Sequence, residues 1–245
     1  MRVAILSDIH SNWPALKAVA ADLGKMNVDR VYCLGDTVGY CAQPRECVDW
    51  VKNNTDLVVA GNHEAMFARG QALKNANEYA RASSEKNRVV LTEIQLLYLK
   101  SLPLVVVDQE IDLTLAHANA SCAGSFDYIH DEGEAIEELI KAKTRFTAIG
   151  HTHSPRLFFL HEGKKKIEWN KAIDVRDGGK ILIDVGSVGQ PRDGDCRACY
   201  VVLDIEKSKA ACCYRRVFYR IDQTVARMRR RDYPKILMER LFLGQ

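Results

Sequence analysis

A chain of 245 residues with 47% hydrophobic and 27% charged residues can bury a core without disulfides or structural metals. The formal net charge of +3 is too small to indicate nucleic-acid binding by itself. Asp8 and His10 interrupt the N-terminal apolar run, which excludes a signal peptide. No stretch approaches the roughly 18 apolar residues of a membrane span, so we expect a cytoplasmic protein.

The first third of the chain alternates apolar runs with amphipathic segments. Strands are predicted at 2–7, 30–34 and 57–60. The stretch Ser11-Asn12-Trp13-Pro14 is typical of a helix start with proline in its first turn, and this helix is expected to end at Gly24. A second helix is predicted near 44–53. This βαβαβ order favours a parallel sheet.

The middle of the chain combines a helical insertion with more strands. Residues 64–101 have helical composition, and Thr92 and Gln95 form a predicted capping box. The other predicted elements of this region are strands 104–107, 111–116 and 146–149 and a helix at 131–143, the first two strands forming a hairpin.

The last third of the chain is rich in strands and ends in helices. Strands are predicted at 156–161, 166–170, 172–175, 180–185, 199–205 and 210–218. Glu162-Gly163 and Asp177-Gly178-Gly179 are hairpin-turn signals. Residues 222–245 are expected to form C-terminal helices at 222–231 and 235–243. No linker divides the chain, so we predict an α/β fold in a single domain, 1–245, with two packed sheets and flanking helices.

The eight cysteines are expected to be reduced. Cys196-x-x-Cys199 has the spacing of half a zinc site or a redox pair. Because no second CxxC accompanies it, ordinary buried or partly exposed thiols are favoured.

Five polar clusters follow apolar runs, where open α/β sheets build their active sites. They are Asp8-Ile9-His10, Gly35-Asp36, Gly61-Asn62-His63-Glu64, His117 and Gly150-His151-Thr152-His153. Each motif is weak alone. Together their oxygen and nitrogen donors, with almost no cysteine, indicate a hydrolytic metal centre.

The order of these motifs resembles the calcineurin-like metallophosphoesterase superfamily, and more narrowly its small prokaryotic YfcE-like phosphodiesterase branch. Residues 7–12, 34–40 and 186–194 carry the narrower resemblance, which extends over essentially the whole chain. It implies a four-layer α/β/β/α sandwich with the site at the sheet edges and the 64–101 insertion nearby.

The resemblance also implies two ligand sets that share one carboxylate. The first metal would take Asp8, His10, His153 and Asp36, and the second Asp36, Asn62, His117 and His151. His63 would protonate the leaving oxygen or stabilise the charged phosphoryl group. Manganese is expected in both sites, with iron, zinc or nickel as alternatives.

Two such cations clamp the attacking and leaving oxygens of an in-line displacement, with a bridging hydroxide as nucleophile. We therefore predict a metal-dependent hydrolase acting on a phosphodiester or nucleotide-like substrate. A dinucleoside polyphosphate hydrolase, a phosphomonoesterase and a protein phosphatase are alternatives with the same centre. A non-catalytic scaffold, like the retromer subunit that lacks the catalytic histidine, is a further alternative, and a homo-oligomer is left open.

The sequence departs from the family pattern at one important place. Many members carry a second acid shortly after the Gly-Asp pair, which orients the catalytic histidine, whereas Thr37 and Val38 follow here. Which group orients His63 is therefore not predicted.

Several further residues are candidates for substrate contacts. Asn12 and Arg192 are expected at the substrate phosphate, with helix capping and an ion pair or packing as the respective alternatives. Phe126 and Tyr128 lie in a loop that could cover the site, although an ordinary loop anchor is favoured. The basic run at 227–231 is more typical of a solvated helix face than of a nucleic-acid site.

Overall fold

The elements follow the apolar periodicity of the sequence closely. The computed structural model describes residues 1–69, 78–161, 164–167, 172–174, 179–206 and 209–245. The strands are β1 Arg2–Leu6, β2 Arg30–Cys33, β3 Leu57–Val58, β4 Val105–Asp108, β5 Leu113–Ala116, β6 Phe146–Ile149, β7 Arg156–His161, β8 Lys164–Ile167, β9 Ala172–Asp174, β10 Lys180–Asp184, β11 Ala198–Glu206 and β12 Lys209–Val217. The α-helices are α1 Trp13–Leu23, α2 Pro44–Asn54, α3 Asn62–Arg69, α4 Glu78–Arg88, α5 Glu93–Ser101, α6 Glu132–Lys141, α7 Ile221–Arg229 and α8 Lys235–Leu243.

These strands assemble into two mixed sheets of six described strands each. The first has the order β3-β2-β1-β11-β12-β9, in which β1, β2 and β3 are parallel and the other pairs antiparallel. The second has the order β4-β5-β6-β10-β7-β8, with β5, β6 and β10 parallel. The predicted βαβαβ unit and the β4–β5 hairpin are therefore present.

Both faces of the central strands are apolar, and the largest apolar cluster lies between the two sheets. Val3 and Ile5 of β1 pack in one cluster with Leu115 of β5 and Phe146 of β6. The opposite face of the first sheet is covered by α1 and α2, and that of the second sheet by α6. The result is the four-layer α/β/β/α sandwich that the sequence analysis expected.

Local signals set the helix ends as expected. The α1 helix has proline in its first turn, and α5 starts with the Thr92–Gln95 capping box. Helix α4 docks on the loops after β1 and β2, because Asn87 Oδ1 accepts hydrogen bonds from Ser11 Oγ of the first loop at 2.6 Å and from Gly39 N of the second at 2.7 Å. The predicted helical insertion thus lies against the segment that follows Asp36.

The structure shortens several predicted elements. β3 ends at Val58 rather than at residue 60, since Ala60 N donates to Pro103 O at 2.7 Å. The turns predicted at 162–163 and 177–178, and residues 168–170 of a predicted strand, lie outside the described residues. All eight cysteines are free thiols, so Cys196 and Cys199 form no disulfide. Within the described ranges, no helix has the length and apolar character needed to cross a bilayer.

Candidate metal centre

The candidate ligands lie in the loops that directly follow β1, β2, β5 and β6 and at the start of α3. Five of these residues have left-handed backbone angles: Asp8 at φ 53°, His10 at 51°, Asp36 at 49°, His151 at 68° and His153 at 59°. Such angles in non-glycine residues cost on the order of 1–3 kcal/mol each and concentrate at functional sites. They bend each loop sharply, and the side chains of different strands meet at one point.

The first ligand cluster contains Asp8, His10 and His153, all of which are buried. His10 Nε2 lies 3.0 Å from His153 Nε2, and Asp8 Oδ1 lies 3.1 Å from His153 Nε2 and 3.6 Å from His10 Nε2. Three donor atoms therefore face one small volume. Together with Asp36, these residues are the first ligand set that the resemblance implied.

The second cluster contains Asp36, His117 and His151, with the amide of Asn62 beside it. His117 Nε2 lies 3.3 Å from Asp36 Oδ2, 3.2 Å from His151 Nδ1 and 3.1 Å from Asn62 Oδ1. All four members of the second implied set are therefore adjacent.

Asp36 stands between the two clusters. Its Oδ2 lies 3.8 Å from His10 Nε2 of the first cluster and 3.3 Å from His117 Nε2 of the second. Because one carboxylate can contact two cations, this position fits a shared ligand.

Asp8 provides a test of whether cations fit these clusters. Its Oδ1 is buried and has no hydrogen-bond partner among the described residues, although three imidazole Nε2 atoms lie within 3.9 Å. Buried polar atoms are almost always partnered, so this carboxylate oxygen, which is surrounded by imidazole nitrogens, fits the role of a cation ligand. The donor set fits divalent metals that accept mixed oxygen and nitrogen ligands.

Backbone carbonyls hold the imidazoles in the orientation that metal binding needs. The Nδ1 atoms of His10, His117 and His153 lie 3.0, 2.8 and 2.6 Å from the carbonyl oxygens of Val38, Leu34 and Gln190, respectively. A carbonyl only accepts, so each Nδ1 carries a proton, and in the neutral ring Nε2 is left as the atom that can bind a metal.

The charges of the centre shift its pKa values strongly. Burial lowers the pKa of His151 to about 3 and that of His153 to about 4, with neighbouring cations adding to the effect. Burial would also lower the pKa of His117, but the carboxylates of Asp36 and Asp8 outweigh it and raise the value to about 10. The same attraction to imidazoles overcomes burial at Asp36 and holds its pKa below the usual range. The carboxylates thus stay ionised, as metal ligands must.

His63 is buried at the edge of both clusters. Its Nε2 lies 3.9 Å from Asp36 Oδ2, and its Nδ1 lies 3.3 Å from Ser84 Oγ on α4. The ring packs in edge contact with His10 and Tyr40, at centroid distances of 4.9 and 4.8 Å. The imidazole predicted to act on substrate is therefore next to the shared carboxylate.

Glu64 is a structural residue of the centre that the sequence analysis noted without assigning a role. Its Oε2 accepts from Asp36 N at 2.7 Å and Gly61 N at 2.8 Å, and its Oε1 from Thr37 N at 2.8 Å and Val38 N at 3.3 Å. Burial, followed by the charge of Asp36, raises the pKa of Glu64 to about 7. This carboxylate ties the Asp36 loop to the start of α3, so that two ligand segments form one unit.

The Glu64→Gln variant is expected to be destabilised by at least about 1–3 kcal/mol, because its amide nitrogen cannot accept and leaves a buried N–H unpaired. Urea unfolding followed by circular dichroism measures the change. Glu85→Gln on the exposed side of α4 is the control and should change stability by less than about 0.5 kcal/mol. Equal stability of the two variants would contradict the role given to Glu64.

Asn12 caps the N-terminus of α1, which was the alternative to a contact with the substrate phosphate. Its Oδ1 accepts from Ala15 N at 3.3 Å and Thr224 Oγ1 at 2.7 Å, and its Nδ2 donates to Gly189 O at 2.8 Å and Tyr219 Oη at 3.2 Å. The side chain is buried and its amide has two donors and two acceptors engaged. This leaves it no capacity for a substrate phosphate.

The other candidate contacts surround the centre. The Arg192 guanidinium lies 5.5 Å from the Tyr40 ring centroid and donates to Gln190 Oε1 at 2.9 Å, and its buried Nε has no partner among the described residues. Tyr128 stacks on His151 with ring centroids 3.9 Å apart. Phe126 is buried as a loop anchor against Ala65 and Ala118.

Comparison with known proteins agrees with the geometry. Residues 1–208 match the model of the calcineurin-like phosphoesterase superfamily domain. An uncharacterized protein of Methanocaldococcus jannaschii is 32% identical over 251 residues, which cover 99% of this chain and 98% of that protein.

Two solved structures superpose over the whole chain. A metallophosphoesterase from Sphaerobacter thermophilus is 34% identical, with a TM-score of 0.84 and coverage of 100% of this chain and 99% of that chain. A hypothetical protein from Pyrococcus horikoshii OT3 is 18% identical, with a TM-score of 0.80 and coverage of 100% and 98%, and shares the fold. Motifs, geometry and relatives agree that the chain belongs to the calcineurin-like phosphoesterase superfamily, and the family and the Sphaerobacter relative indicate a phosphoester hydrolase.

Proposed function

We propose that this protein is a two-metal phosphodiesterase that hydrolyses a phosphodiester or nucleotide-like substrate, with manganese as the preferred metal. The observation that carries the proposal is the pair of ligand clusters that meet at Asp36, with a further buried imidazole, His63, beside them.

In this proposal each residue has a defined task. Asp8, His10 and His153 hold one cation together with Asp36, while Asn62, His117 and His151 hold the other, again with Asp36. When bound, two divalent cations supply a water nucleophile of lowered pKa and offset the charge of the phosphoryl group. The carbonyls behind the imidazoles and the four amides around Glu64 keep these donors in place before substrate arrives.

His63 acts on the substrate side of the centre. With Nδ1 facing Ser84, its Nε2 is the ring atom directed toward Asp36 and the centre. From there His63 donates a proton to the leaving oxygen or a hydrogen bond to the charged phosphoryl group. Groups in this role contribute about 10²–10⁴-fold to rate.

Arg192 and Tyr128 supply the substrate contacts of the proposal. The unpartnered Nε of Arg192 is a donor for a phosphate oxygen, and guanidinium groups suit phosphate geometry. Tyr128 is 42% exposed next to the centre, but its ring already stacks on both His151 and His130, so substrate would meet the exposed part of this side chain rather than a free ring face. The Arg192 contact suits the phosphate of a diester or of a monoester, so the proposed preference for a diester rests on the resemblance to the phosphodiesterase branch.

The test is hydrolysis by manganese-loaded protein of bis-p-nitrophenyl phosphate, p-nitrophenyl phosphate, a dinucleoside polyphosphate and a phosphopeptide. We expect the diester to be hydrolysed with the highest kcat/KM, and elemental analysis to find two metal ions per chain. Faster hydrolysis of the polyphosphate, monoester or phosphopeptide would favour the corresponding alternative. If the protein is inactive on all four compounds with manganese, iron, zinc and nickel, the remaining alternative is a non-catalytic scaffold.

A further inference from the structure

The Nδ1 atom of His63 lies against position 39 of the loop after Asp36, where no side chain fits. A Cβ atom added at Gly39 would lie 2.2 Å from His63 Nδ1 and 2.6 Å from Cε1, so the loop backbone runs directly against the imidazole. Gly39 itself has φ 97°, which also disfavours a side chain there. Position 39 therefore cannot supply a side chain that orients His63.

Helix α4 provides such a side chain. Ser84 Oγ lies 3.3 Å from His63 Nδ1, and Ser84 is 8% exposed. We propose that Ser84 is the positioning residue of His63, holding its imidazole through Nδ1 so that Nε2 is directed at the reacting phosphoryl group. The inference rests on the phosphoesterase function proposed above.

A hydroxyl suits this position for a chemical reason. When Ser84 Oγ–H donates to Nδ1, the ring proton is on Nε2, where a donor is needed. When the ring is protonated, Nδ1–H donates and Ser84 Oγ accepts. Serine can therefore support both forms of His63 without adding a negative charge to the centre.

Other side chains of α4 fix the position of Ser84 relative to His63. One residue before it, Ser83 Oγ accepts from Tyr40 N at 3.1 Å. One turn after Ser83, Asn87 accepts from Gly39 N at 2.7 Å and donates to Cys41 O at 2.8 Å. Two polar side chains of α4, Ser83 and Asn87, thus bind the loop that packs against His63, and these contacts fix the position of Ser84 relative to the imidazole.

The test compares Ser84→Ala, Ser84→Thr and the control Ser101→Ala, an exposed serine at the end of α5. Ser84→Ala should lower kcat on bis-p-nitrophenyl phosphate about tenfold, the effect of one hydrogen bond of about 1.4 kcal/mol. KM and metal content should stay at wild-type values, and the unfolding midpoint should fall by no more than the loss of one buried hydrogen bond allows. Ser84→Thr restores the hydroxyl and should recover kcat to within about threefold of wild type, while Ser101→Ala should match wild type.

A double-mutant cycle separates positioning from a structural role. In the His63→Asn background, Ser84→Ala should have no further effect on kcat, because the group that it positions is absent. A full tenfold loss in that background, or an unchanged kcat in the single variant, overturns the inference. Inactive wild-type protein would instead overturn the proposed function, so the two failures are distinguishable.

Discussion

The Asp36→Asn variant is expected to lose on the order of 10³-fold or more in kcat/KM, because several kcal/mol of transition-state charge stabilisation depend on both metals. Asp36 Oδ2 faces the imidazoles of both clusters, while Oδ1 accepts from His63 N at 2.9 Å. Asparagine can keep the backbone contact, but it is neutral and cannot ligate two cations through charged oxygens. Elemental analysis should find fewer than two metal ions per chain.

The matched control is Asp222→Asn, which removes an exposed carboxylate paired with Arg220 at the start of α7. Exposed pairs contribute little, so this variant should keep its metals, its stability and its activity. If the Asp36→Asn protein retained two metals and wild-type turnover, the proposal that Asp36 is a ligand shared by both metals would be wrong.

The His63→Asn variant is expected to lower kcat by about 10²–10⁴-fold while both metals remain bound. Asparagine carries an amide near the position of Nδ1 but has no atom where Nε2 lies, so only the substrate-directed donor is lost. Burial already lowers the pKa of His63 to about 3, so its replacement by a neutral amide leaves little charge change in the metal-free centre. Paired measurements of turnover and metal content give the result.

Metal content decides how a loss of activity in this variant is interpreted. His63 lies with His10 and Asp36 in a group that could itself hold an ion. If His63→Asn protein loses a metal together with its activity, His63 is a ligand and the proposed division of roles is wrong. His161→Asn at the end of β7, which alters a histidine outside the described clusters, should leave both quantities unchanged.

Much of this architecture could be predicted from local sequence. Apolar runs of four to six residues mark β1, β2, β5 and β6, and the polar residues that follow them are the proposed ligands. The Thr92–Gln95 capping box likewise needs only residues three apart. Strand ends and helix caps are short-range features, so their residues carry the signal directly.

The support of the centre could not be predicted in the same way. Ser84 is 21 positions from His63, and it reaches the imidazole only because α4 docks on the loop after Asp36. Glu64 binds amides up to 28 positions away. Neither contact follows a helical or strand period, and both depend on how separate segments pack in three dimensions.

The left-handed backbone at the five proposed ligand positions lowers the stability of the folded chain, although the proposed activity depends on the same residues. Strain on the order of 1–3 kcal/mol at each position lowers the free energy of unfolding of the metal-free chain. Glycine at Asp8 or His10 would relieve that strain and delete a ligand at the same time. Substitutions that stabilise the metal-free chain at these positions are therefore expected to weaken metal binding, whereas metal bound to the folded chain would offset the strain.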